Sequence, residues 1–314
     1  AYEILSVLVG SEMCIRDRYY DLVPAVLVPY LESYPHEPVL LNQLGLAYYE
    51  LGETSVARRL FEAIRTIEPM HAEARTNIKA CKQRDAQPGS YTRVPDTYCR
   101  TAREYQSAAK QLSERATRVA EQRISLCMIV KDEEEMLPGC LAGAAEWVDE
   151  IIVVDTGSSD RTVEIALEYG AKVVDFPWTG SFSDARNRSV EEATGDWILY
   201  LDADEHMVED DGKHLRELAR KPWVEGFYLV LHNFTGDLEM GNQTTHTSVR
   251  MYRNRPEYTW QGIIHEQKMH AFPTWLPERF QLTPIRLNHY GYLRQIQVDR
   301  SKSDRNLQLL LQQL

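Results

Sequence analysis

The stretch that decides the fold is GDWILYLDADEH, residues 195–206. Its apolar run, Trp197–Leu201, has the length and composition of a strand covered on both faces. The run stops at Asp202, and Asp204 and Glu205 follow at once. Carboxylates crowded in this way repel one another unless a cation or a proton offsets their charge. The stretch therefore predicts a buried strand that ends at a charged site.

Three further apolar runs precede this strand and predict the rest of a sheet. They are Ile124–Val130, Glu150–Asp155 and Ala171–Phe176, and the fourth run extends over Asp196–Leu201. Helix-like stretches separate them, at about Glu134–Glu146, Ser159–Tyr169 and Phe182–Ala193. Alternation of this kind is typical of βαβ units with a mainly parallel sheet and helices on both faces, a Rossmann-like α/β fold.

Polar residues follow each of the four predicted strands. The groups are Lys131–Glu133, Asp155–Ser158, Ser183–Asn187 and Asp202–Asp204. In an open parallel sheet, ligands bind beyond the carboxyl ends of the strands, so all four groups lie on one edge. An ordinary helix cap or acidic turn explains any one group, but four in register favour a binding site.

The chemistry of this edge suits a hard divalent cation, Mg²⁺ or Mn²⁺, which prefers oxygen ligands. Such an ion usually binds one or two carboxylates together with substrate phosphates. The chain has neither GxxxxGK[ST] nor GxGxxG after its first strand, which argues against a P-loop and a dinucleotide fold. In an Asp-x-Asp pair, one carboxylate can bind the metal and the other a ribose or sugar hydroxyl.

The regular alternation of strands and helices ends after Leu201. A helix over Glu209–Arg220 leads to two runs that read as antiparallel strands, Gly226–Phe234 and Thr247–Asn254. A last apolar run, Leu282–Leu293, precedes a polar helix over residues 294–314 that stops in mid-pattern. We therefore expect the α/β domain to extend over residues 123–293.

The N-terminal part is predicted to be helical. Pro35 and Pro69 stand 34 residues apart and each closes an amphipathic stretch, and Gly45 and Ala57 are small where two helices would approach closely. This spacing resembles the tetratricopeptide repeat, with one full unit at about Pro38–Met70, although a generic helical hairpin is the alternative. Residues 19–84 are assigned to this segment, and residues 85–122 to a turn-rich linker and a long polar helix, Thr97–Gln122.

The first 18 residues have an unusual sequence. LVGSEMCIRDR, Leu8–Arg18, resembles the translation of a transposase adaptor used to build sequencing libraries. We expect residues 1–18 to be read-through of such an adaptor and leave them out of the fold prediction. Genomic sequence continuous through these codons would contradict this hypothesis.

Composition narrows the class of protein. The 314 residues carry a formal net charge of −12, which argues against nucleic acid as the main partner. No apolar run reaches the roughly 18 residues that a membrane helix needs. The five cysteines show no metal-binding spacing, as expected of reduced thiols. A cytoplasmic location is predicted, with peripheral attachment to the inner face of the membrane as an open alternative.

Three motifs together resemble the family 2 glycosyltransferases of GT-A fold. They are ISLCMIVKDEEEMLPGCL, DEIIVVDTGSSDRTVEIA and GDWILYLDADEH, with ARN before the last of them. The resemblance covers about Ile124–Tyr292 and is closest to bacterial members joined to tetratricopeptide repeats. It implies an inverting, metal-dependent transfer of a sugar from a nucleoside-diphosphate sugar.

The resemblance also implies roles for individual residues. Glu133 and Asp155 would hold the ribose and base of the nucleotide, and Arg186 would lie near the diphosphate. Asp202 would contact the ribose or donor sugar, and Asp204 would bind Mn²⁺ or Mg²⁺. The family often has a second acid where this chain has Thr156, so the nucleotide, with UDP favoured, stays open.

Two more roles come from the later part of the resemblance. An inverting transferase needs a base that takes the acceptor's proton. Within WQGIIHEQ, Glu266 is assigned as this base, with His265 as the competing candidate. His289 would complete the metal site or touch the diphosphate, although a lone histidine is more often structural.

Two other functions stay open. In one, the repeats are a binding scaffold, with a peptide or protein partner, and the transferase domain is degenerate. In the other, the domain is a metal-dependent nucleotidyltransferase or phosphohydrolase. The acceptor can be a cell-surface polysaccharide, a lipid-linked glycan or a peptide side chain.

Overall fold

The computed structural model describes residues 2–87, 91, 94–96, 99–236, 242–262 and 279–293. The chain divides into two compact units, residues 1–120 with 220–223 and residues 121–219 with 224–314.

Helices make up the described part of the first unit. They are α1 (Tyr2–Arg16), α2 (Val23–Ser33), α3 (Pro38–Glu50), α4 (Thr54–Ile67), α5 (Ala72–Ala86), α6 (Arg100–Glu104) and α7 (Gln106–Ala116). The predicted hairpin over residues 38–70 and its flanking helices are confirmed as helices. Their assignment to tetratricopeptide repeats stays a prediction, as does the origin of residues 1–18.

The helix predicted over Thr97–Gln122 is wrong as one element, because it forms the two helices α6 and α7. Tyr105 lies between them with φ −91° and ψ −1°, a bridge conformation that interrupts the helix. The second helix ends at Ala116, and Thr117 turns back to bond the carbonyl of Glu114.

Close packing of α3 against α4 explains a small residue in the first unit. A Cβ atom added to Gly45 would lie 2.5 Å from a ring carbon of Phe61. Phe61 is completely buried, together with Leu60 and Ile64 on the same helix. The ring therefore fills the space that a side chain at position 45 would need, as the sequence predicted for a close helix approach.

The second unit is built on strands alternating with helices. The strands are β1 (Ile124–Val130), β2 (Glu150–Asp155), β3 (Lys172–Asp175), β4 (Trp197–Tyr200), β5 (Glu205–Met207), β6 (Gly226–Thr235), β7 (Asn242–Arg253) and β8 (Phe280–His289). The helices are α8 (Leu137–Ala144), α9 (Thr162–Glu168), α10 (Phe182–Glu191) and α11 (Lys213–Ala219), with a 3-10 turn at Ala145–Trp147. The helix predicted over residues 294–314 lies outside the described residues.

Several helices begin later than the sequence predicted, because the residues before them form turns. The side chain of Asp160 accepts a hydrogen bond from Thr162 N at 3.0 Å, so α9 starts after Ser159 rather than at it. Asp210 adopts a left-handed conformation, φ 69°, and this delays α11. Each shift lengthens a loop between strand and helix.

One eight-stranded sheet joins these elements in the order β3-β2-β1-β4-β7-β6-β8-β5. Strands β1 to β4 run parallel to one another, whereas β7 pairs antiparallel with both β4 and β6. The predicted α/β fold and the antiparallel additions are thus confirmed. The second half of the sheet mixes directions, because β6 and β8 are parallel and β5 and β8 antiparallel.

The sheet must curve between β4 and β5. Three strands separate them in the sheet, about 19 Å at the usual strand spacing. Only residues 201–204 connect them, and this connection would reach about 18 Å if fully extended. This connection is not fully extended, because it turns where Glu205 N donates a hydrogen bond to Asp202 O at 2.9 Å. Curvature therefore brings β5 and β8 next to the carboxyl end of β4.

Candidate functional site

Asp202 is the first acidic residue beyond β4 and pairs with an arginine of α10. Arg186 Nη2 donates to Asp202 Oδ1 at 2.9 Å. The Arg186 side chain is 11% exposed and that of Asp202 is 35% exposed. Burial raises the pKa of Asp202, but the charges of Arg186 and Arg250 outweigh it and lower the pKa to about 2. Asp202 is therefore a carboxylate at any physiological pH, with one side open to a ligand.

Two arginines flank the ring of Tyr200 at the end of β4. The guanidinium carbon of Arg186 lies 5.3 Å from the ring centroid, and that of Arg250 lies 4.4 Å from it. Arg186 also lies 5.0 Å from the ring centroid of Trp260. Arg250 comes from β7 and was not among the residues predicted from the sequence. The site thus holds two cations on aromatic faces beside the acidic turn.

Glu205, the third acid of the opening stretch, is completely buried and forms an ion pair with Arg250. Its other carboxylate oxygen accepts a hydrogen bond from Asp202 N at 3.2 Å. Burial raises the pKa of Glu205 to about 7, since the charges of Asp202 and Asp204 add to burial and Arg250 offsets them only partly. Glu205 therefore holds the turn from inside and does not face a ligand.

Asp204 and His289 come together through strand pairing. Residue 205 of β5 pairs with His289 of β8, so the end of the acidic turn lies beside the imidazole. Asp204 Oδ1 and His289 Nε2 are 3.5 Å apart, and the two side chains are 8% and 16% exposed. The structure thus brings together the two residues that were predicted as metal ligands.

Gly291 keeps the space between these two groups open. A Cβ atom at this position would lie 2.8 Å from His289 Nε2 and would collide with Asp204 Oδ2. Among the described residues, no group of three or more His, Cys, Asp or Glu side chains is arranged to hold a metal ion. The Asp204 carboxylate fits the few protein ligands that Mg²⁺ or Mn²⁺ takes when phosphates supply the others, and the imidazole favours Mn²⁺, the softer of the two ions.

Glu133 follows β1 and lies close to the acidic turn. The buried thiol of Cys140 donates to Asp202 O at 3.5 Å. Burial raises the pKa of Cys140, and the charges of Glu205, Asp202, Asp204 and Glu133 raise it further. His206 Nε2 also lies 3.0 Å from Met136 O, so the loop after β1 that carries Glu133 contacts β5 directly beyond the acidic turn.

Asp155, at the end of β2, closes its own loop. Its carboxylate accepts hydrogen bonds from Gly157 N at 3.1 Å, Ser158 N at 3.1 and 3.2 Å, and Ser158 Oγ at 2.5 Å. These bonds close the loop after β2 and are not the helix cap that the sequence left open as an alternative to nucleotide binding, since α9 begins only at Thr162. The Ser158 hydroxyl also accepts from Asp132 N at 3.0 Å. Asp155 thereby fixes the loops after β1 and β2 together.

The helix α10 positions more than Arg186. Asn187 Nδ2 donates to Trp260 O at 3.0 Å, and Asn187 Oδ1 accepts from Trp260 N at 2.7 Å. Ser183 Oγ donates to Gly262 O at 2.6 Å. These bonds fix the chain just before His265 and Glu266. Both candidate bases lie outside the described residues.

The described side chains therefore form one charged group at the carboxyl end of β4. Asp202 and Glu205 pair with two arginines and Asp204 lies beside His289, so the three carboxylates exceed the two guanidinium groups when all are ionised. A divalent cation would reverse that balance and favour an anionic ligand. Such a group can bind a metal together with a phosphorylated compound.

Comparison with known proteins agrees with this chemistry. Residues 125–280 match the family model described as Glycosyl transferase family 2. A TPR repeat-containing protein of Synechococcus elongatus is 39% identical over 195 residues, which are 60% of this chain and 47% of that protein. The SPbeta prophage-derived glycosyltransferase SunS of Bacillus subtilis is 29% identical over 201 residues, 59% of this chain and 44% of SunS. This chain thus spans less than half the length of either relative.

One solved structure aligns with about half of this chain. The crystal structure of S. aureus TarS, residues 1–349, aligns with 54% of this chain and 60% of that chain, at 14% identity and a TM-score of 0.41. Within the described residues, no helix is long and apolar enough to cross a membrane.

Proposed function

We propose, on the premise that residues 125–280 are a glycosyl transferase family 2 domain, that this chain transfers a sugar from a nucleoside-diphosphate sugar to an acceptor with inversion at the anomeric carbon. The observation that carries the proposal is the pairing of Asp204 with His289 across a gap kept by Gly291, beside the Asp202–Arg186 pair. The metal site and the sugar–phosphate contacts would then adjoin each other at one sheet edge.

The described residues have separate roles in this proposal. Asp204 and His289 hold Mn²⁺ or Mg²⁺, and the cation, when bound, supplies positive charge to the departing diphosphate. Arg186 lies 2.9 Å from Asp202 and orients that carboxylate. Its remaining N–H groups donate hydrogen bonds to the diphosphate. Asp202 binds a hydroxyl of the ribose or the donor sugar. Glu133 and Asp155 hold the nucleotide, in the case of Asp155 chiefly by shaping the loop.

The acceptor side of the reaction is assigned to Glu266. This residue takes the proton of the acceptor, which then attacks the anomeric carbon from the face opposite the diphosphate. The hydrogen bonds of Ser183 and Asn187 to residues 260 and 262 support the assignment, because they fix the chain four residues before Glu266. His265 is the competing base, and activity of Glu266→Gln against His265→Gln separates the two.

The nucleotide and the acceptor are proposed from the family resemblance and from the helical N-terminal segment. UDP is the nucleotide that the family resemblance favours. A peptide or protein acceptor is favoured over a polysaccharide or lipid-linked glycan because stacked helical repeats bind extended peptides. A cytoplasmic site of action follows from the use of nucleotide sugars as donors.

A donor screen tests the proposal. The chain is incubated with isotope-labelled UDP- and GDP-sugars and Mn²⁺, and the nucleotide products are identified by mass spectrometry. Release of a nucleoside diphosphate from at least one donor is expected. A nucleoside monophosphate as the product would instead support the nucleotidyltransferase or phosphohydrolase alternative. Failure to bind any donor in the same panel would support a scaffold with a degenerate domain.

A further inference from the structure

A chain of hydrogen bonds leads away from His289 on the side opposite Asp204. His289 Nδ1 lies 2.8 Å from Asn233 Oδ1, and Asn233 Nδ2 lies 2.8 Å from His246 Nδ1. Asn233 belongs to β6, where the register pairs it directly with His289 of β8. It is 6% exposed, so its amide orientation is fixed by these two rings rather than by water.

With Asn233 Oδ1 facing His289, as the structure places it, the chemistry of the amide decides which nitrogen of His289 carries the proton. An amide oxygen only accepts hydrogen bonds, and an amide nitrogen only donates them. Asn233 Oδ1 therefore requires a proton on His289 Nδ1, which leaves the lone pair on Nε2. That lone pair points to the side where Asp204 Oδ1 lies at 3.5 Å.

The second ring, His246, fixes the orientation of the amide. Its Nδ1 accepts from Asn233 Nδ2, which requires a neutral imidazole. Desolvation and the charge of Arg250 lower the pKa of His246, and both favour the neutral form. Turning the amide over would require the opposite tautomer in both rings, with a proton on His246 Nδ1 and the proton of His289 on Nε2.

We infer that Asn233 is a positioning residue that holds His289 in the Nδ1–H tautomer, so that the Nε2 lone pair and the Asp204 carboxylate form a preset site for a divalent cation. Nothing in the sequence motifs points to Asn233, which lies some 30 residues beyond the acidic turn. The Nε2 lone pair and the Asp204 carboxylate are both acceptors, so they repel each other at 3.5 Å. A cation bound between them would relieve that repulsion. The inference rests on the proposed metal-dependent function, whereas the tautomer is a property of the chain alone.

The tautomer is measured directly on histidine labelled with ¹⁵N. Long-range ¹H–¹⁵N spectra at about pH 8, above the ordinary histidine pKa of about 6.5, report which ring nitrogen is protonated. Comparison with His289→Gln assigns the signal. The Nδ1–H form is expected in the wild type and in Asn233→Asp, which keeps an acceptor. In Asn233→Leu, the preference for Nδ1–H should be lost.

Binding of Mn²⁺ without any nucleotide sugar is then measured from the electron paramagnetic resonance signal of the free ion. Asn233→Leu should bind Mn²⁺ about tenfold more weakly, the usual loss when the partner of a histidine ligand is removed. Asn233→Asp should retain the affinity, as should the control Thr245→Val at an exposed position of β7.

The outcomes separate this inference from the proposed function. An Nε2–H tautomer or an imidazolium in the wild type would overturn the inference even if transferase activity were found. So would an unchanged Mn²⁺ affinity in Asn233→Leu. If the wild type holds the Nδ1–H tautomer but binds no Mn²⁺, the metal-dependent function is contradicted. The effect of Asn233 on the tautomer of His289 would still stand. If Asn233→Leu does not fold, the wild type and Asn233→Asp still decide the tautomer.

Discussion

At the scale of single residues, Asp202 and Asp204 are one residue apart yet have different partners. Asp202 faces Arg186 of α10, whereas Asp204 faces His289 of β8. The sequence predicted both acids, because their position after an apolar strand has a direct chemical meaning. It also separated them from Glu205, whose burial and pairing with Arg250 give it a structural role.

Arg250 and Asn233 were not predicted, for a physical reason. Arg250 lies between the buried Val249 and Met251 of β7, where alternation places it on the opposite face. Asn233 follows Leu229 and Leu231 on the buried face of β6, but the sequence does not show that this face adjoins the acidic turn. Their position in the site depends on which strands pair with β7 and β6, and on the curvature that brings β8 next to β4. The available signal for Arg250 was a polar side chain within the strand TSVRMYRN. This signal is weak, because the sequence does not show which strands pair with it.

Removal of Arg250 should destabilise the second unit. Arg250→Met leaves Glu205 buried beside Asp202 and Asp204 without its counter-ion, which costs about 3 kcal/mol in similar buried pairs. The free energy of unfolding is measured by urea denaturation. The control is Arg188→Met on α10, whose partly exposed pairs with Glu191 and Glu192 are worth at most about 1 kcal/mol. Equal losses in the two variants would show that the Arg250 pair is not structural.

At the scale of secondary-structure elements, one glutamate joins the beginnings and ends of three strands. Glu225, 3% exposed, precedes β6 and accepts from Arg255 Nε at 2.7 Å and Tyr258 Oη at 2.8 Å. Arg279 Nη1, just before β8, donates to it at 3.3 Å. The sequence predicted β6 and β7 as strands and an apolar run in place of β8. It did not predict this bond network, because its members are far apart along the chain.

The pH dependence of stability should depend on Glu225. Burial raises its pKa, but the hydrogen bond and charge of Arg255, the Tyr258 hydroxyl and Arg279 outweigh burial and lower it below the ordinary value. A lowered pKa stabilises the folded state above the pKa of the unfolded chain, about 4.3, and this contribution is lost as the pH falls through the folded value. Wild type should therefore lose stability relative to Glu225→Gln on acidification.

The measurement compares urea unfolding of wild type and Glu225→Gln between neutral and acid pH. Near neutrality, Glu225→Gln should be less stable by about 3 kcal/mol, since it leaves buried arginine charge without its partner. The difference should shrink on the acid side. Glu257→Gln, at an exposed position of the same loop, serves as the matched control. A difference that stays constant with pH would exclude the proposed role of the Glu225 charge.

At the scale of the whole molecule, the chain has two units with separate cores. The core of the first is formed by helices, and the second is centred on residues such as Cys127, Ile152, Ile198 and Tyr252. The order of elements was predictable, because apolar periodicity changes from helical to strand-like at Arg123. The pairing of β7, β6 and β8 was not predictable beyond its antiparallel start, since local patterns do not encode which distant strand is the neighbour.

The separate cores predict separate responses to mutation. Gly45→Ala places a methyl group 2.5 Å from a carbon of the buried Phe61 ring, and overpacking of this kind costs about 1–3 kcal/mol. The loss should be confined to the helical unit, so hydrogen exchange should quicken in α3 and α4 but not in β1 or β4. The exposed Glu50→Ala on α3 is the control. Faster exchange throughout both units would contradict independent cores.

The central claim is that Asp204 holds the cation on which donor binding depends. Calorimetry of wild type and Asp204→Asn with UDP- and GDP-sugars, each with and without Mn²⁺, tests it most directly. Asp204→Asn keeps the shape of the side chain and removes one ligand charge. The account predicts Mn²⁺-dependent binding of at least one donor by the wild type and none by Asp204→Asn. Equal Mn²⁺-dependent affinities in the two proteins would contradict it.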